Sequence, residues 1–230
     1  MTDSKEVYEL EIPRGLEIPP GFRLPRFRGN QERLDVITRQ MTDKVRALAY
    51  PQAVYTVAEV SCTGRDHVDI NGIKFTSRIL NKNLCDLEVV YPFITTIGKD
   101  LDEFRAPSSE MLQSFILDSI KTLVLISAVR YVTEHIREKF SISEVASMNP
   151  GELKDWPIDQ QLPLFQLFGG KEKAIGVSVS KGGAMRPLKS RSGIIFEDNT
   201  GFVSCRCCNQ ENCPGRRKPY DPALVEEYMK

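Results

Sequence analysis

Charge of one sign, histidine and long apolar runs are what this sequence has least of. Lysine plus arginine and aspartate plus glutamate number 31 each, so the formal net charge is zero. A neutral chain has no general attraction to nucleic acid or to an anionic membrane, and only a local basic patch would supply one. The two histidines, His67 and His135, stand far apart without metal-ligand spacing, and no acid–base or nucleophilic pair stands out. His135, near the end of an expected long helix, reads as a surface residue favoured by the helix dipole. The most apolar run, residues 123–129, is too short to span a bilayer and is flanked by Lys121 and Arg130. Residues 1–9 are polar and lack the apolar stretch of a signal peptide. These absences predict a soluble, cytoplasmic protein that binds neither nucleic acid nor a membrane.

What is present is ordinary globular material. The chain has 230 residues, 41% hydrophobic and 27% charged, enough for one large core or two small ones. Residues 1–28 are rich in proline and charge and are expected to lie extended on the surface or to be partly disordered. Leu34, Ile37, Met41, Val45 and Leu48 recur at steps of three and four, which predicts an amphipathic helix over 31–49. A strand over 53–62 follows. Asn71-Gly72 then marks a tight hairpin between 67–70 and 73–75. A short helix over 77–84, a buried strand over 87–96 and a long central helix over 109–140 come next. A helix over 157–168 stops at Gly169-Gly170, and strands are expected over 175–180, 192–196 and 201–204. The elements are mixed without regular alternation. That predicts an α+β fold, with a twisted antiparallel sheet, a long central helix and flanking helices.

The sharpest local signal is a cysteine cluster. Cys205, Cys208 and Cys213 form C-x2-C-x4-C, with Cys207 as an extra thiol. Short loops between cysteines let thiolates converge on a soft metal, so zinc or an iron–sulfur cluster is expected, with the fourth ligand left open. Cys62 and Cys85, beside apolar strands, read as buried free thiols. Gly169-Gly170 and Gly182-Gly183 lack phosphate-loop spacing and read as a helix cap and a hairpin turn. Lys181, Arg186, Lys189 and Arg191 concentrate positive charge on one loop, either a solvated loop or a contact for an anionic ligand or acidic partner. The turn at residues 149–151, Asn-Pro-Gly, reads by itself as a change of chain direction.

Taken together, the segments resemble the activation domain of cobalamin-dependent methionine synthase, in a stand-alone form. The resemblance rests on Asn149-Pro150-Gly151, Asp155-Trp156-Pro157-Ile158, Gln161 and Leu164-Phe165, then on the stretch from Ile175 through Met185-Arg186-Pro187 to Ser190-Arg191-Ser192-Gly193. Weaker matches are Ala53-Val54-Tyr55, Thr95-Thr96-Ile97-Gly98 and Leu117-Asp118. Stand-alone members often end in C-x2-C-x4-C-x2-R, matched here by Cys205, Cys208, Cys213 and Arg216. The resemblance covers about residues 22–217. It implies docking over cobalamin held by a corrinoid protein or a cobalamin-dependent methyltransferase, support for its reductive reactivation, and binding of S-adenosylmethionine. It also implies three parts: an N-terminal segment at 1–28, an activation-domain-like body at 29–204 and a cysteine-rich tail at 205–230. Asn149, Pro150, Gly151 and Glu152 are carried over as cofactor-binding positions. Three family features differ: Ser147 replaces an arginine, Glu152 a tyrosine, and Phe202 and Val203 a tyrosine pair. Serine cannot make the bidentate carboxylate contact of an arginine, which puts S-adenosylmethionine in doubt. Two alternatives are a non-catalytic partner subunit with structural zinc and the S-adenosylmethionine-binding part of a split methionine synthase.

Overall fold

The computed structural model describes residues 6–14, 31–107, 109–211, 213 and 216–229. In chain order the first elements are β1 (Val7–Glu11), α1 (Gln31–Leu48), β2 (Gln52–Thr56), β3 (Ala58–Ser61), β4 (His67–Ile70), β5 (Ile73–Thr76), α2 (Arg78–Leu84) and β6 (Val89–Thr96). Then come α3 (Lys99–Glu103), α4 (Met111–Lys139), β7 (Val145–Met148), α5 (Gln161–Gln166), β8 (Ser178–Val179), β9 (Met185–Arg186), β10 (Ser190–Glu197) and α6 (Pro222–Met229).

β6 carries the architecture. On one edge it pairs with β2 and β3, which continue one another in a single register from Gln52 opposite Thr96 to Glu59 opposite Val89. Its other edge holds β10, and β10 holds β7, with Ile194 opposite Met148. β1 lies outside β2, and the β4–β5 hairpin outside β3. Every pairing is antiparallel, as the irregular order of elements predicts.

Alternate strand residues face opposite sides. Val54, Ile94 and Ile194 join a core with Phe75, Trp156 and Phe168 on one face. Tyr55, Phe93 and Ile195 face the other, against Val132 and Ile136 of α4. The N-terminal half of α4 packs with α1, where Leu34, Ile37, Met41 and Val45 are buried as their spacing predicts. At 29 residues α4 is, by length and composition, long and apolar enough to cross a membrane, which the short run at 123–129 did not suggest. Here α1 and the sheet pack against it.

The local signals hold where chain geometry is short-range. Asn71 and Gly72 both take positive φ, as the two-residue hairpin turn requires. Ser77 caps α2 by accepting the Leu80 N–H at 2.9 Å. Three expectations need correction. Only Ser178 and Val179 of the 175–180 stretch form a strand, because Lys171–Ile175 winds into a 3-10 turn. The 201–204 stretch has no strand partner and leads into a 3-10 turn at Ser204–Arg206. Within the N-terminal segment, Val7–Glu11 is a paired strand, while residues 15–28 lie outside the described residues.

Cys62 and Cys85 are also corrected: they form a disulfide, with Cα atoms 5.6 Å apart. Packing of α2 against β4 returns the helix end to the end of β3. With the cysteines 23 positions apart in sequence, loop-closure entropy gives the bridge about 3 kcal/mol of stability. Cys85→Ser is therefore expected to lose about that much in denaturant unfolding under oxidising conditions, and to be insensitive to added reductant.

His135 is a part-buried partner of the sheet and not a surface residue. Lys139 Nζ donates to Tyr55 Oη at 2.8 Å, and Tyr55 Oη lies 3.1 Å from His135 Nε2. The Tyr55 hydroxyl thus bridges the Lys139 ammonium and the His135 imidazole. Burial first, and the Lys139 charge second, hold the His135 pKa below its usual value. An unfolded histidine gains its proton near pH ~6.5, so the folded state binds fewer protons just below that. Stability is then full above pH ~6.5 and declines as pH falls toward the depressed folded value. Thermal melts should show this decline as pH falls below about 6.5, and His135→Phe should flatten it.

Candidate functional site

The site grows from the junction of β7 and β10. β7 ends at Met148, and the chain turns through Asn149, Pro150 and Gly151. The Gly151 N–H donates to the Trp156 carbonyl at 2.8 Å, and the Glu152 N–H to the Asn149 carbonyl at 3.1 Å. Leu153 and Trp156, both buried, bridge and close the loop beneath. Gly151 sits at φ +82, and a Cβ there would stand 2.9 Å from Ile158 Cδ1. Only glycine serves this corner.

Gly193 of β10 is the second glycine the loop requires. A Cβ on it would lie 2.4 Å from both the Met148 carbonyl oxygen and Asn149 Oδ1. The missing side chain thus lets the loop lie directly on the strand. Asn149, 9% exposed, donates through Nδ2 to Glu152 Oε2 at 2.8 Å, while its buried Oδ1 has no hydrogen-bond partner. The other oxygen of Glu152 accepts from Ser204 Oγ at 2.8 Å. Ser204 immediately precedes Cys205, so one carboxylate joins the loop to the cysteine tail. Asp155 anchors the far side of the loop, accepting the Ile79 N–H at 2.9 Å and the Ser77 hydroxyl at the start of α2.

The tail is organised by arginines. Arg216 donates to the carbonyls of Cys205 and Cys208 at 3.1 Å each, and to those of Gln210 and Lys218. Arg206 pairs with Asp221 at 2.6 Å, and Asp221 caps α6 through the Leu224 N–H at 3.1 Å. The Arg206 hydrogen bond first, and the backbone donors next, hold the Asp221 carboxyl below its usual pKa. Tyr228 of α6 meets Phe202 edge-on at 6.3 Å, so the tail closes over the core.

Sequence spacing predicted that Cys205, Cys207, Cys208 and Cys213 would converge on a metal. Among the described residues no three ligating side chains are brought together. Cys207 turns inward and is buried, and burial pushes its thiol pKa up to about 11. Such a thiol stays protonated in the absence of a metal. The carbonyls of the Cys205–Gln210 stretch are gathered by the Arg216 guanidinium instead. A zinc or iron–sulfur site on Cys205, Cys208 and Cys213 therefore rests on their spacing alone, and no electron relay is derived from them. Pro150 and Gly151 shape the loop through the backbone, whereas Asn149 and Glu152 contribute polar side chains. The Glu152–Ser204 tie was missed, because nothing local in the sequence links positions 52 residues apart.

An antiparallel sheet with one long helix across a face, and a glycine-seated loop at one sheet end, define the fold class. Thirteen chains of solved structures match this fold, among them the crystal structure of the MetH reactivation domain bound to AdoHcy. The match has a TM-score of 0.61 at 14% identity and covers 98% of this chain and 89% of that one. At that identity the likeness shows a shared fold, as the resemblance to the methionine synthase activation domain implies. No family model matches the sequence, and no curated protein matches it.

Gly193→Ala should force the loop off β10 and cost about 1–3 kcal/mol by overpacking. Gly182→Ala, where a Cβ meets nothing within 4 Å, should change stability by less than about 0.5 kcal/mol. Paired thermal unfolding of the two variants checks the difference.

Proposed function

We propose that this protein is a reactivation-domain-like accessory of cobalamin-dependent methyl transfer. In this reading it docks on a corrinoid protein or a cobalamin-dependent methyltransferase and supports reductive return of the cobalt to its methyl-accepting state. The observation that carries it is the fold match to the MetH reactivation domain over 98% of this chain. The order of the family-like stretches, from Asn149 to Gly193, supports the same reading. Cobalamin, held by the partner, supplies the methyl-accepting metal. This chain contributes docking, orientation and access.

The loop at 149–152 is the proposed place for an adenosyl ligand of the kind bound to that relative. The half-buried Glu152 carboxylate suits the ammonium end of such a ligand. Ser147 leaves the ligand's carboxylate without an arginine. Affinity is therefore expected to be weaker than an arginine-bearing loop would give. A second reading, a non-catalytic cap on the corrinoid protein, is favoured by the tail. There the buried Cys207 and the Arg216 carbonyl contacts serve structure.

The test mixes the full chain with a hydroxocobalamin-loaded corrinoid protein from the same cell, a reductant and S-adenosylmethionine, and follows the visible spectrum. Methylcobalamin should form faster with the chain present, and Glu152→Ala should remove most of the gain. Complex formation by sedimentation without any spectral gain would favour the cap. Neither a complex nor a spectral change would overturn both readings.

A further inference from the structure

A cavity of about 240 Å³ opens between α3, the N-terminal half of α4 and the turn at 187–189, and none of its lining residues belongs to the loop at 149–152 or to the cysteine tail. At its base lies Lys121, only 4% exposed. Its ammonium donates to the carbonyls of Asp102 at 3.1 Å and Phe104 at 2.6 Å, which uses two of three donors. Arg105 engages the same two carbonyls through Nη1 alone. No hydrogen bond is seen for its Nε and Nη2 among the described residues, and that pair is the fork that matches an oxyanion.

The nearby carboxylates are already committed. Asp102 accepts the backbone N–H groups of Leu188 at 3.0 Å and Lys189 at 2.9 Å. Asp118 is paired with the Lys189 ammonium at 2.9 Å. Three cations therefore face two carboxylates around the cavity. Burial first, and the adjacent Arg105 charge next, hold the Lys121 pKa below its usual value, as expected of two cations short of a counter-charge. The remaining walls are apolar, through Phe104, Leu117 and the half-exposed Leu188 at the rim.

We propose that this cavity binds a small organic anion, with a carboxylate or phosphate oxyanion held between Lys121 and the Arg105 fork and a short apolar body against Leu117 and Leu188. The sequence showed Lys121 only as the flank of an apolar run and Lys189 only as part of a basic loop. The fold brings them onto one cavity.

The experiment titrates the full chain with butyrate and, separately, with inorganic phosphate, using calorimetry and the 13Cε signal of Lys121. Saturable millimolar binding that raises the Lys121 pKa is expected for at least one of them. Tighter butyrate assigns the carboxylate source, and tighter phosphate the phosphate source. Arg105 is exposed, so Arg105→Gln should fold normally and weaken binding about tenfold or more, the loss of one charged hydrogen bond. Lys121→Met should abolish binding. If that variant does not fold, Arg105→Gln and the Lys121 signal decide. Failure of both probes to saturate, or unchanged affinity in Arg105→Gln, overturns the proposal.

Discussion

β6 has almost no solvent-facing residue, and everything else in the structure depends on how that strand is covered. From Val90 to Thr96 its side chains are buried on both faces, which demands a layer on each side. β2 and β3 take one edge and β10 the other, so both edges of the strand are paired over most of its length. α4 covers one face, and the β4–β5 hairpin, α2, α5 and the Trp156 loop cover the other. Each later feature is attached to one of these coverings.

The candidate site and the basic cavity are both products of β10. Its first residue follows the 187–189 turn that borders the cavity, and Gly193 lies beneath the loop at 149–152. Ser190 and Gly193 are three residues apart, roughly 10 Å along a strand. Two features distant in sequence, α3 at one end and the cysteine tail at the other, are thereby brought to one region of the sheet. The Glu152 bridge to Ser204 shows how this is held: a single half-buried carboxylate accepts from both segments.

What could be read without coordinates follows interaction range. The α1 spacing, the Asn71-Gly72 turn and the long helix α4 are decided within a few residues of chain, and all three are present in the structure. The partners of those elements depend on the whole chain. Nothing near Cys62 signals that α2 returns Cys85 to within bonding distance. Cysteine spacing raised the expectation of a metal but could not register that Cys207 turns into the core or that Arg216 gathers the intervening carbonyls. Val7–Glu11, within a segment read from its proline and charge as extended or partly disordered, is a strand because β2 offers an open edge. Lys121 read only as the flank of an apolar run and Lys189 only as part of a basic loop, and the fold sets both on one cavity with Arg105.

The central claim is that the glycine-seated loop and the adjoining tail form the face presented to a corrinoid partner. Hydrogen–deuterium exchange of this chain, with and without a cobalamin-loaded corrinoid protein, tests it most directly. The account predicts added protection over 149–156 and 204–208, with α1 unchanged. Protection confined to α1 and α4, or none anywhere at concentrations that form the complex, would contradict it.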